Sequence, residues 1–253
     1  MKHTFFLILF IIYVLVTAAW SYREILKLKA KSIGERERIK LYKATILEEG
    51  FFVLIIVLAA NLTGMTAYDL GIAPVGITLK HYNSWLTAST LGISGVLLML
   101  VLYQMVCYLV SEDYRKQVVD TLNRQKAKES HYARVLSEIM LPKSSREKQW
   151  FTVLSVAAGT CEELIYRGFL FYLFSNIFTE LPVGLFPILG GAVFGIAHSY
   201  QGVMGCFKTG LLGILFGALY VVTGSLLPGM LLHFMVDFSS NFLFQTETEE
   251  GVL

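Results

Sequence analysis

Residues 85–111, WLTASTLGISGVLLMLVLYQMVCYLVS, contain no Asp, Glu, Lys or Arg. A helix needs about 20 mostly apolar residues to cross about 30 Å of hydrocarbon, because every backbone N–H and C=O has to be satisfied within the segment. This run is long enough, and it is not alone. Thr4–Trp20 and Gly50–Tyr68 are also free of charge, and the apolar remainder from Trp150 to Phe244 has room for further crossings. Gly and Pro mark breaks in that remainder at Leu181-Pro182-Val183-Gly184, at Tyr200-Gln201-Gly202 and at Gly224-Ser225, with Pro228 in the first turn of the next helix. The expected fold is all-α, a multi-pass transmembrane helical bundle of about seven helices, with residues 1–253 as a single integral-membrane domain.

Composition excludes other classes. The 253 residues are 55% hydrophobic against 16% charged, too apolar for a water-soluble fold. A formal net charge of +2 lacks the surplus that a phosphate-tracking surface needs, so the lipid bilayer is an expected partner and nucleic acid is not. Cys107, Cys161 and Cys206 are too scattered for a disulfide framework and read as free thiols.

Charge distribution sets an expected orientation. Eight of the 21 Lys and Arg lie between Tyr22 and Lys43 and nine between Glu112 and Gln149, whereas the stretch from Thr66 to Ser84 holds Lys80 alone. Short cytoplasmic loops concentrate Lys and Arg. Residues 22–43 and 112–149 are therefore expected as cytoplasmic basic loops, with the N-terminus outside and the acidic tail Glu247-Thr248-Glu249-Glu250 and C-terminus in the cytoplasm. A bacterial cell membrane is expected from the compact chain without an evident eukaryotic targeting extension. Lys2 and Thr17-Ala18-Ala19 give the first segment some likeness to a cleaved signal peptide, but the basic residues behind it favour an uncleaved anchor.

The fourth apolar stretch contains charges that a bilayer penalises. Cys161-Glu162-Glu163-Leu164-Ile165-Tyr166-Arg167 puts three ionisable groups on a helix expected to begin near Trp150, which places Glu162 about 18 Å in. Such a group costs about 2.5 to 3.5 kcal/mol near the midplane, so it should face the bundle interior and be paired or functional. Glu163 precedes Arg167 by four residues, the favourable order for a structural ion pair, while Glu162 points about 100° away and is free to react. His198 lies in the next apolar stretch, four residues after Phe194, which reads as packing. In the last stretch His233 stacks over Asp237, and Asn241, one turn on, reads as a helix–helix hydrogen bond. A carboxylate, two imidazoles and a second acid around a semi-dry cavity suit the activation of water for attack on an amide.

Glu162-Glu163-x-x-x-Arg167, Phe194-x-x-x-His198 and His233-x-x-x-Asp237 resemble, in order and one per helix, the three motifs of the CAAX-processing and bacteriocin-processing intramembrane proteases, which include the type II CAAX prenyl endopeptidases. The resemblance covers Trp150 to Asn241, and residues 150–244 are the expected family-like catalytic core. It implies a glutamic-type endopeptidase with no cofactor and no metal, acting on a membrane-associated peptide or protein, prenylated or not. In that mechanism Glu162, helped by His198, activates water, and His233 with the residue four positions on stabilises the oxyanion. Asp237 stands where family members often carry Asn, and an ionised carboxylate cannot donate a hydrogen bond. Asp237 is either protonated or orients His233.

Competing readings use the same residues. A proton-coupled transporter would employ the buried acids and histidines as a relay, and a catalytically idle scaffold or immunity-type protein would keep only the fold. Glu162, His198, His233 and Asp237 are acceptable zinc ligands, but the His-Glu-x-x-His helix of zinc proteases is missing. Cys161 sits in apolar surroundings that leave a thiol inert. Gly92-Ile93-Ser94-Gly95 resembles the rhomboid GxSG motif without the His-x-x-x-Asn that should precede it, and reads as helix packing, like Gly191-x-x-x-Gly195 and Gly213-x-x-x-Gly217. Glu48-Glu49, a second acidic pair, has Val53 rather than a cation four residues after Glu49 and reads as interfacial, beside Lys43.

Overall fold

The structure, a computed structural model, describes residues 2–29, 33–76, 84–128 and 131–243. Lys80 and the tail Glu247–Glu250, which bear on the expected orientation, lie outside these residues. Every regular element among the described residues is helical: α1 (Lys2–Lys29), α2 (Glu35–Thr63), α3 (Ser84–Val110), α4 (Glu112–Lys128), α5 (His131–Met140), α6 (Ser145–Glu163), α7 (Leu170–Ile177), α8 (Phe186–Ala197), α9 (Gly202–Thr223) and α10 (Leu227–Leu243). A π turn over Leu164–Phe169 joins α6 to α7 as one continuous rod, and 3-10 turns precede α8 and α9.

Four segments are long and apolar enough to cross a membrane by length and composition: Lys2–Leu28, Glu35–Thr63, Ser84–Val110 and Ser199–Thr223. The α6–α7 rod and the shorter α8 and α10, of 12 and 17 residues, pack with them in a multi-pass helical bundle. On α1, α2 and α3 the residues Leu15, Phe51, Leu58, Met99 and Leu100 face outward, a surface suited to acyl chains rather than water. The opposite faces of α1 and α2 meet in an aromatic core that includes Phe10, Phe52, Phe169 and Phe194, while Leu91, Leu97 and Leu98 of α3 pack against Phe216 and Leu219 of α9 and Leu232 of α10.

The basic stretches are not loops. Helix α1 continues through Lys29 and α2 starts at Glu35, so the described part of Tyr22–Lys43 is chiefly two helix ends; α4, α5 and the first turn of α6 lie within 112–149. Lys, Arg and Glu are strong helix formers, and acids in the first turns, Glu35 and Glu37 on α2 and Glu112 and Asp113 on α4, complement the helix dipole. Helix α6 also begins earlier than the apolar pattern suggested. Ser144 Oγ accepts from Glu147 N at 3.2 Å while Glu147 Oε2 accepts from Ser144 N at 3.0 Å, a reciprocal cap that starts the helix at Ser145. Counted from there, Glu162 lies about 26 Å along the axis. The same Glu147 takes Arg38 Nε at 2.8 Å, fully buried, and so pins α2 against α6.

Small residues let α8 and α9 touch backbone to backbone. A Cβ at Gly191 would lie 2.8 Å from both Gly210 O and Ile214 N, one at Gly195 2.7 Å from Cys206 O, and one at Gly217 3.0 Å from Pro187 Cα. Both glycine pairs read as packing are therefore in contact. The explanation fails for the GxSG segment: nothing lies within 4 Å of a Cβ at Gly92 or Gly95, because both face away from the bundle, whereas Ser94 is buried.

Gly224, at φ 64°, ends α9 in the left-handed conformation that suits glycine. The turn that follows is roofed by the segment after α2, where Ser225 Oγ donates to Ala73 O at 2.6 Å and Leu226 N to Gly71 O at 2.9 Å. In that segment the N–H and hydroxyl of Thr66 donate to Asp69 Oδ2 at 2.8 and 2.7 Å, which holds the exposed Asp69 carboxyl below the usual carboxylate range.

Candidate active site

Glu162 and Glu163 are the last residues of α6, where the backbone widens into the π turn. Such turns recur at functional sites. Glu163, Tyr166 and Arg167 are all buried around it. Arg167 Nη1 donates to Glu163 Oε1 at 3.0 Å, as the four-residue spacing predicted, and Nη2 reaches Gly213 O of α9 at 3.3 Å. The guanidinium also lies 4.4 Å from the Phe194 ring and 5.5 Å from the Phe216 ring.

The same Glu163 oxygen meets His233 Nδ1 of α10 at 2.9 Å. Spacing along the chain gave no sign of this contact. Phe216 stacks on the imidazole at 5.2 Å. With Nδ1 committed to Glu163, the other ring nitrogen points to the cavity. His233 Nε2 lies 3.7 Å from Glu162 Oε2 and 3.6 Å from Asp237 Oδ2. His198, the cap residue of α8, has Nδ1 at 2.9 Å from Phe194 O, and its Nε2 lies 3.9 Å from Glu162 Oε1. A carbonyl can only accept, so Nδ1–H donates to it and Nε2 is the ring nitrogen that faces Glu162. Phe194, expected only to pack, is the wall between the rings, 4.5 Å from His198 and 6.1 Å from His233.

All four sequence-predicted site residues, Glu162, His198, His233 and Asp237, line one cavity of about 1040 Å³. Their mutual distances exceed hydrogen-bond length but are compatible with contact to one water from the cavity side. Cys161 is absent from the lining and packs against the aromatic core. Asn241 Nδ2 donates to Thr152 Oγ1 of α6 at 3.1 Å, the helix–helix bond expected of it. Among the described residues no group of three or more His, Cys, Asp or Glu is arranged to hold a metal ion.

One acidic residue was misplaced. Glu49 is not interfacial: it is 5% exposed, and both it and Glu48 line the cavity that holds Glu162. The misreading came from taking Lys43 as the edge of the helix. Counted from Glu35, Glu49 lies about 21 Å along α2, on the face that packs against α6.

Residues 146–239, from the first turn of α6 into α10, match the family model described as Rce1-like: Type II CAAX prenyl endopeptidase Rce1-like. No curated protein and no solved structure matches the chain. The matched residues supply Glu162, His198, His233 and Asp237, while α1 to α5, and Glu49 with them, lie outside the match. The segment that builds the four-residue cluster is thus similar to the Rce1-like type II CAAX prenyl endopeptidases.

Proposed function

We propose that this chain is a glutamic-type intramembrane endopeptidase that hydrolyses a peptide bond in a prenylated, membrane-associated peptide or protein, with Glu162 as the base that activates water. The observation that carries the reading is the flanking of one carboxylate by two imidazoles from different helices, His198 Nε2 toward Oε1 and His233 Nε2 toward Oε2. A packing role would not need both oxygens of one half-buried acid to face ring nitrogens across an open cavity.

Each residue has a part in the sequence of bond changes. Glu162 takes a proton from water as the water oxygen bonds to the scissile carbonyl carbon. His198 Nε2 accepts the other water proton as a hydrogen bond and so aims the lone pair. The oxyanion forms beside His233 Nε2, which donates to it from the imidazolium, Nδ1–H being held by Glu163. Asp237, 3.6 Å from Nε2, is the counter-charge to that imidazolium, and Glu163 rather than Asp237 orients the ring. Collapse re-forms the carbonyl and breaks the C–N bond, and the nitrogen leaves with a proton returned from within the site.

The test is cleavage of a farnesylated peptide ending in a CAAX sequence by purified protein in liposomes. Wild type cleaves it, and Glu162→Gln lowers kcat by about 10²- to 10⁴-fold, the range expected for loss of a general base. Cleavage undiminished in Glu162→Gln would remove the base assignment. Proton flux across the liposome wall without cleavage would replace the protease by a proton-coupled transporter.

A further inference from the structure

Among the described residues Glu49 is the one buried acid lining the cavity that this mechanism leaves idle. It is buried, its Oε2 has no hydrogen-bond partner, and its side chain is within hydrogen-bonding reach of Glu162. The ionisable groups that face it are Tyr13 of α1, Glu48 of its own helix, Cys161 of α6, Tyr166 of the π turn, Tyr200 beyond α8 and Asp237 of α10. None of these carries a fixed positive charge. The structural acids of this protein look different: Glu147 has Arg38 and Glu163 has Arg167. A buried carboxyl without such a partner is costly unless it serves chemistry.

Resting on the reading of Glu162 as base, we propose that Glu49 is a second catalytic carboxyl, sharing one proton with Glu162 and delivering it to the leaving amine. Two neighbouring carboxyls out of water do not both ionise, and the proton between them holds the pair together. In the first step ionised Glu162 takes a proton from water, the water oxygen bonds to the carbonyl carbon, and the C=O electron pair moves onto oxygen. In the second, the carbonyl re-forms and the C–N bond breaks, its electron pair going to nitrogen, which takes the proton of Glu49. Glu162 then passes the proton gained from water to ionised Glu49 across their hydrogen bond. The pair is restored, one water has been consumed, and no oxidant, reductant or further reactant is needed.

A leaving-group comparison tests this. Glu49→Gln and Glu49→Asp are assayed on the farnesylated CAAX peptide and on the p-nitrophenyl ester of the same acyl portion, whose leaving group departs without a proton. Glu49→Gln should lower kcat on the amide by about 10²- to 10⁴-fold with little change in KM, and on the ester by at most about tenfold, with Glu49→Asp partly restoring the amide rate. Equal losses on both substrates, or an undiminished amide rate, would overturn the proposal. Glu162→Gln should lose both activities, so its failure is separable from that of Glu49. An infrared measurement on protein with isotope-labelled glutamate needs no substrate: the protonated-carboxyl band seen at neutral pH should weaken in Glu49→Gln and shift in Glu162→Gln. A band indifferent to Glu49→Gln would equally overturn the shared proton.

Discussion

Glu163 places a single oxygen between a guanidinium and an imidazole, and so joins an ion pair to the orientation of a ring. The two roles can be separated by mutation. Glu163→Gln leaves Arg167, 1% exposed, without its counter-ion. Breaking a buried pair from one side costs about 3–5 kcal/mol, which should appear as a large drop in the detergent melting temperature. Replacing both partners, Glu163→Met with Arg167→Met, should recover most of that stability, because an apolar substitute for a whole buried pair is often neutral. Peptide cleavage should stay low in the double variant, since His233 Nδ1 has then lost its acceptor. Stability and activity recovering together would show that Glu163 matters only as half of a salt bridge. The Arg167 half of this arrangement was legible in the sequence because helical geometry fixes neighbours four residues apart. The His233 half was not, since it joins side chains 70 residues apart that only the folded bundle brings together.

At the scale of elements, the breaks between α7, α8, α9 and α10 were legible because Gly and Pro act locally on the backbone, as the left-handed cap at Gly224 shows. The small-residue faces of α8 and α9 were legible for a similar reason. They support a paired prediction. Gly191→Ala would drive a methyl group against backbone atoms of α9 that cannot turn aside, and should destabilise the protein by about 1–3 kcal/mol. Gly92→Ala meets nothing within 4 Å and gains helix propensity of up to about 1 kcal/mol, so its melting temperature should hold or rise. Equal losses in thermal denaturation would mean that α8 and α9 do not touch as described. The errors at this scale have one source. Clusters of Lys and Arg report which side of a membrane a segment favours and say little about its conformation. Reading the basic stretches as loops hid the start of α2 at Glu35, and with it the depth of Glu49 in the bundle.

Across the whole molecule, the cavity runs from Glu162, His198 and His233 to Lys27, Arg36 and Lys40 at the facing ends of α1 and α2. Its mouth therefore lies at the basic end of the bundle. If that end is cytoplasmic, as the concentration of Lys and Arg predicts, a substrate anchored by a lipid in the inner leaflet reaches the reactive groups without crossing the hydrocarbon. Cysteine labelling tests the orientation. In a background with Cys107, Cys161 and Cys206 replaced by Ala, single cysteines are placed at Tyr68, 75% exposed in the segment after α2, and at Asp120, exposed on α4. A membrane-impermeant maleimide should react with Tyr68→Cys in intact cells and with Asp120→Cys only after the membrane is opened. The reverse pattern would turn the mouth of the cavity to the outer face, where no lipid-anchored peptide of the inner leaflet can reach it, and would end the assignment of such a substrate even with the site intact.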